Sequence, residues 1–290
     1  MLEYLLPKKT FRNIEGLRDF NFTLFRERSR PGVSGMVRVR NEERKIEYAL
    51  RSILPVFDEI IVVDNGSTDR TAELVRDVQS RIDAAAKIRL FSYPHTLARF
   101  GPEHGRTAEN SVHSAVYFTN WALSHCSHEY VCKWDGDMVL RREAAPAFHD
   151  FLQTLRPGRK GCWVLAGQTV YRAATGEFYL AKGEVNEEIE VFPYGLAYRF
   201  VKDPHWERFR RPFYLPKGKF EQVCFYELKD VGEREFDHWS TTDWPSERKK
   251  REWRNYHRVL EGRLNASFDR LSPTFLDDQI ASYPSGAEGA

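Results

Sequence analysis

Residues 60–69 read Ile60-Ile61-Val62-Val63-Asp64-Asn65-Gly66-Ser67-Thr68-Asp69. Four consecutive β-branched apolar residues are too short a run for a helix and predict a strand covered on both faces, as in parallel sheets. A polar, glycine-containing turn follows. Thr68 or Ser67 can then cap a helix whose apolar side is Ala72, Leu74, Val75 and Val78. Upstream, Val33 to Val39 predicts a first strand, and Ile46, Ala49, Leu50 and Ile53 recur at helical spacing before Pro55 stops the pattern. Downstream, Ile88 to Phe91 predicts a third strand. Alternating strand and helix at this spacing give a right-handed parallel α/β unit.

A fourth strand decides where chemistry would sit. Tyr130 to Trp134 is a short apolar run containing Lys133, and it ends in Asp135-Gly136-Asp137. Open α/β sheets bind ligands at the carboxyl ends of their strands. Two carboxylates there, with a glycine that allows close approach, suit Mg²⁺ or Mn²⁺ bridging a phosphate. A plain polar turn is the competing reading. Lys133 and Arg141 read as surface or strand-edge charges.

Around these strands the chain is less regular. Residues 1–32 form a basic, aromatic extension. Residues 92–110 look irregular, Ser111 to Ser124 and Arg142 to Leu155 helical, and Pro157-Gly158 closes that segment. From Gly161 onward strand-like runs alternate with turns and aromatics: Cys162 to Ala166, Thr169 to Arg172, Glu188 to Phe192, Leu196 to Val201 and Val223 to Leu228. Such a surface suits a cleft wall that receives a ring-shaped polar partner. Ser246 to Leu264 predicts a basic helix, and the tail beyond Leu271 looks loose.

Composition narrows the classes. The chain has 290 residues, long for one core and short for two. Hydrophobic residues make up 41% and charged residues 30%, as in a soluble globular protein. A net charge of +2 gives no bulk case for nucleic-acid binding. No apolar run approaches the ~20 residues of a membrane span. Cys126, Cys132, Cys162 and Cys224 show no metal-ligand spacing and read as free thiols, with a cytoplasmic location expected.

Asn41-Glu42-Glu43, the Asp64–Asp69 string and Asp135-Gly136-Asp137, in that order on a parallel sheet, resemble a family 2 glycosyltransferase of the GT-A fold. The likeness is close over 33–140 and loose over about 160–240. It implies an α/β, Rossmann-like, mostly parallel central sheet with helices on both faces, a smaller strand-rich acceptor part and a C-terminal helix. The division it suggests is an extension at 1–32, a catalytic domain at 33–245 (donor part 33–140, acceptor part 141–245), and a basic helix and tail at 246–290.

The implied activity is divalent-metal-dependent transfer of a sugar from a nucleoside diphosphate to a hydroxyl, with inversion by single displacement. A UDP-sugar is favoured as donor, and the acceptor is a glycan, a lipid-linked molecule or a small molecule. Asp64 can accept a hydrogen bond from the ring N–H of a uracil-like base, while Arg40, Asn41 and Glu42 stand at the neighbouring strand end. By the resemblance Asp135 contacts the ribose and Asp137 the Mg²⁺ or Mn²⁺, with His238 or Glu227 a further candidate ligand. The base that deprotonates the acceptor falls about a hundred residues later. Asp237 is the first choice because Phe236 and Trp239 flank it, with Glu233 and Glu235 as alternatives. Arg99 and Arg106 are candidates to reach the diphosphate. The helix 246–264 reads either as a solvated helix or as a peripheral contact with the inner membrane face. A nucleotidyltransferase and a non-catalytic nucleotide- or glycan-binding protein are the alternative functions.

Overall fold

The structure is a computed structural model and describes residues 10–25, 30–155, 161–232 and 246–280. It opens with a two-stranded ribbon, β1 (Thr10–Phe11) and β2 (Phe22–Thr23). Phe22 and Leu24 bury against Tyr117 and Trp121, so the amino-terminal segment packs on the outside of the sheet.

The parallel unit follows as predicted: β3 (Arg30–Val39), α1 (Ile46–Ile53), β4 (Glu59–Asp64), α2 (Thr71–Arg81) and β5 (Ile88–Ser92). All four predicted α1 positions are buried. In β4, Ile60 and Val62 enter one core cluster while Ile61 and Val63 enter another, which is why this strand is apolar throughout. Neither Ser67 nor Thr68 caps α2. Asp69 accepts from the Thr71 N–H at 2.9 Å, because the helix starts later than the hydroxyls can reach.

Residues 92–110 are not wholly irregular: α3 (Pro102–Arg106) is a single turn. The next helix, α4 (Ala115–Ser124), starts four residues after the predicted Ser111, because Ser114 is its cap and accepts from Val116 N–H. Then come β6 (His128–Asp135), β7 (Met138–Leu140) and α5 (Ala145–Thr154). In the second half the predicted short strands merge into longer ones. They are β8 (Cys162–Arg172), β9 (Phe178–Pro193), β10 (Arg199–Lys202), β11 (Glu207–Arg210) and β12 (Lys217–Asp230). The chain continues through α6 (Glu247–Leu260), β13 (Phe268–Arg270) and α7 (Phe275–Ile280). The chain is therefore ordered from Leu271 to Ile280, since Phe275 and Leu276 bury against Phe178 and Tyr226, whereas Ser285 to Ala290 lie outside the described residues.

The principal sheet runs β5-β4-β3-β6-β9-β8-β12-β7, with β13 on β9. It is parallel from β5 to β6 and mixed beyond, an α/β sheet as expected. Strands β6 and β7 are separated only by Gly136 and Asp137, yet β9, β8 and β12 lie between them in the sheet. The sheet therefore curls back on itself, and the Asp-Gly-Asp turn closes the curl. Val39 stands level with Asp64 on one side and Arg38 with Asp135 on the other, so the loops after β3, β4 and β6 share one edge. All four cysteines are free and buried.

Candidate active site

That shared edge opens into a cleft of about 730 Å³ that also takes in β9, β11, β12 and the start of α6. Period-two alternation explains which β6 side chains reach it. Tyr130, Cys132 and Trp134 pack into one core, leaving Val131, Lys133 and Asp135 on the opposite side. Lys133 is thus a buried cleft residue and not a surface charge. Its Nζ lies 3.2 Å from Asp135 Oδ2 and 3.4 Å from Glu190. From β3, Arg38 donates to Asp135 Oδ1 through Nε (3.1 Å) and Nη2 (2.8 Å). Its Nη1 reaches Thr119 Oγ1 at 3.0 Å and Glu207 Oε1 at 2.5 Å. Burial opposes the charge on Asp135, but Arg38 and Lys133 overcome it and hold the carboxyl well below its usual range. Burial pushes Glu190 up to about 8 against the pull of Lys133.

Asp137 faces a different environment. Its Oδ2 accepts from Lys229 Nζ at 3.0 Å, and the same ammonium lies 2.9 Å from Glu227. Burial raises the Asp137 carboxyl, Lys229 pulls against this, and the Glu227 charge adds to the rise. Glu227 is also opposed by burial, yet Lys229 draws it down to about 2. Behind them Lys45 bonds Glu42 at 2.7 Å, and burial still lifts Glu42 to about 8. The two acids of the turn therefore differ: Asp135 is clamped by cations, while Asp137 belongs to a cluster with surplus negative charge.

Other predicted residues divide. Arg40 and Glu42 line the cleft with Asp135 and Asp137. Asn41 does not line it. Held at φ +57, it latches two loops: its Oδ1 accepts from Thr68 N–H at 2.8 Å, and its own N–H donates to Ser67 Oγ at 2.9 Å. Asp64 closes a local turn, accepting from the Ser67 N–H (3.0 Å) and hydroxyl (2.5 Å), and it borders a smaller depression with Arg76 and Ser92. Asn65 faces the cleft in its stead, and its buried Oδ1 has no partner. Arg99 and Arg106 do not line the cleft; Arg38 does, and it donates to Thr119 on α4. Glu233, Glu235, Asp237 and His238 lie outside the described residues. The cleft residues Glu190 and Lys229, which the sequence reading does not single out, share a signal with Lys133 and Glu227, a charge two positions from another charge within a strand.

Residues 36–98, the strand–helix–strand–helix–strand segment, match the family model described as glycosyl transferase family 2. No curated protein matches the chain. Among solved structures, the chain is similar to glucosyl-3-phosphoglycerate synthase from Mycobacterium tuberculosis in complex with Mn²⁺, UDP and glucosyl-3-phosphoglycerate. That match has 23% identity, covers 49% of this chain and 44% of that one, and has a TM-score of 0.30. The same enzyme with Mn²⁺, UDP-glucose and phosphoglyceric acid gives 24% identity over the same shares, with a TM-score of 0.29. S. aureus TarS 1–349 gives 14% identity over 86% of this chain and 69% of that one, with a TM-score of 0.40. The chain thus spans less than half the length of the synthase it matches.

Proposed function

We propose that this chain is a glycosyltransferase that moves a sugar from a nucleoside diphosphate, with a UDP-sugar the favoured donor, to an acceptor hydroxyl. The observation that carries the reading is the level placement of the ends of β3, β4 and β6 around one cleft, within and beside the segment that matches the family model. The unpartnered Asn65 Oδ1 is an acceptor for a base or ribose donor. Arg40 at the rim, with Arg38 and Lys133 deeper, gives the cleft the cations a diphosphate needs, and Asp135 is the ribose contact.

The donor set suits a divalent cation. Asp137 offers hard carboxylate oxygen inside a cluster whose mutual repulsion a cation would relieve. Among the described residues no group of three candidate ligands stands together, so Asp137 would hold Mg²⁺ or Mn²⁺ with the diphosphate and water completing its shell. When bound, such an ion neutralises charge on the departing diphosphate. Lys229 already contacts Asp137, and a cation there must share or displace that ammonium.

Transfer requires a base for the acceptor hydroxyl, and Asp237, with Glu233 and Glu235 as alternatives, remains the proposal. Attack opposite the leaving diphosphate would invert the anomeric centre.

The test is thermal shift with UDP, GDP, CDP and dTDP, each with and without Mn²⁺, because a ligand that binds the native state raises the melting temperature. One base should stand out, and Mn²⁺ should enhance its shift. Asp137→Ala should keep the fold and lose both the enhancement and donor turnover. A folded Asp137→Ala protein with full turnover, or no shift with any nucleotide, would overturn the reading.

A further inference from the structure

Four of the six cations on the basic helix α6 are engaged in ion pairs, two within the helix and two with β9. Arg248 pairs with Glu188 (3.2 Å), Lys249 with Glu252 (3.0 Å), Lys250 with Glu247 (2.7 Å) and Arg251 with Glu184 (3.1 Å). Arg254 and Arg258 form no ion pair with a described residue, but a denser run of such cations lies elsewhere. From Arg199 to Lys219 the chain carries seven lysines or arginines against two acids, and one of those acids, Glu207, turns inward to Arg38. In the β10–β11 ribbon, Arg199 sits directly opposite Arg210, a like-charge pairing that destabilises a free ribbon. Neither arginine, nor Arg211 or Lys217, forms an ion pair with a described residue.

The loop from this ribbon to β12 carries the two most exposed large hydrophobic side chains described, Phe213 at 92% and Tyr214 at 69%. It is a built feature. Arg211 Nη1 donates to the carbonyls of Pro212 (3.2 Å) and Leu215 (2.7 Å), and Leu215 packs into the core. The two rings contact each other, with centroids 5.6 Å apart, and project from the fold. Exposed aromatic rings ringed by unpaired cations match the chemistry of a bilayer interface, where rings sit at headgroup depth and cations meet lipid phosphate. A protruding tip offers no groove to a helix or strand, whereas a bilayer accepts it.

We propose that the 208–217 tip docks the protein on an anionic membrane surface, with Phe213 and Tyr214 entering the interface and Arg199, Arg210, Arg211 and Lys217 facing lipid phosphate. The same ribbon contributes Trp206, Arg208 and Phe209 to the cleft wall, so docking would bring the cleft mouth to the bilayer. No described helix is long and apolar enough to cross a membrane, so the contact would be peripheral. The surface stands independently of the enzymatic reading, because binding needs no turnover.

Vesicle flotation tests it, using phosphatidylcholine with and without phosphatidylglycerol. The wild-type chain should float with the anionic vesicles only, and high salt should release it. Phe213→Ser/Tyr214→Ser should lower the fraction bound about tenfold or more, and Arg210→Gln/Lys217→Gln should reduce it too. The ring variant should melt with the wild type, since both rings are exposed, and the charge variant no lower, since Arg210→Gln relieves the pairing with Arg199. Arg254→Gln/Arg258→Gln on α6 should bind like wild type. No flotation at low salt, undiminished binding by the ring variant, or loss only in the α6 variant would overturn the proposal. So would a ring-dependent dimer in ultracentrifugation without vesicle binding, which would make the tip a contact between copies of this chain.

Discussion

Gly136→Ala isolates the geometry on which the cleft depends. Gly136 does not adopt a positive φ, so space and not backbone freedom is what an alanine lacks. An added Cβ would lie 2.7 Å from Val39 Cγ1, 3.2 Å from Glu42 Cγ and 3.4 Å from the Arg38 carbonyl oxygen. Carbon atoms rest about 3.5–4.0 Å apart, so the turn or β3 must give way by about 1 Å. Val39 is 4% exposed and β-branched, with little room to rotate. Such overpacking costs about 1–3 kcal/mol. At about 2–4 °C per kcal/mol for a large chain, the melting temperature should fall by about 2–12 °C. Function should suffer more, because both acids hang on this turn and a displacement of about 1 Å costs on the order of 10²-fold in rate. Turnover and the nucleotide-induced thermal shift read the effect. Val39→Ala/Gly136→Ala removes the clashing methyl and should recover part of both, although Val39→Ala alone is destabilising. A Gly136→Ala protein with wild-type shift and turnover, or a double variant no better than the single, would refute the reasoning.

Lys229→Met strands Asp137 and Glu227 and should cost about 3–5 kcal/mol at neutral pH in a melting experiment. Glu227 has a folded pKa of about 2 against an ordinary 4.5, so its stabilisation is present above pH 4.5 and lost as pH falls toward 2. The variant should therefore lose less melting temperature than the wild type on acidification through that window. Glu190 has the opposite sign. Its folded pKa of about 8 makes its contribution greatest below pH 4.5 and lost as pH rises through 8, so Glu190→Gln should flatten the melting temperature between those values. Asn41→Ala combines a left-handed φ with loss of the Thr68 bond and should melt below Asn41→Gly, which loses the bond alone. Equal melting of the two would show that the φ carries no strain.

The donor half was legible because its signals are local. Ile60–Val63 is buried on both faces, and Ile46, Ala49, Leu50 and Ile53 lie on one face of one helix, so each pattern can be read without knowing its neighbours. Lys133 was misread because its burial comes from β9, whose antiparallel register against β6, Cys132 opposite Val191, no local pattern announces. The same holds for Glu190 on β9 and Lys229 on β12. The Asp64 and Asn65 roles turn on which side chain the Ser67 hydroxyl claims, a matter of turn geometry that residue types leave open. The stretch from Leu271 to Ile280 gives little periodic signal because α7 is short, and its order comes from docking on Phe178 and Tyr226.

The curled sheet has a kinetic consequence. The β3–β4–β5 unit needs only contacts close in sequence, but Asp135 reaches its place when β6 pairs with β3, nearly a hundred residues earlier, and Asp137 when β7 pairs with β12, almost ninety later. Loop closures of that span are slow to form. Refolding chains should therefore regain helix signal well before they can hold a nucleotide, and the two acids would be among the last parts of the molecule to meet.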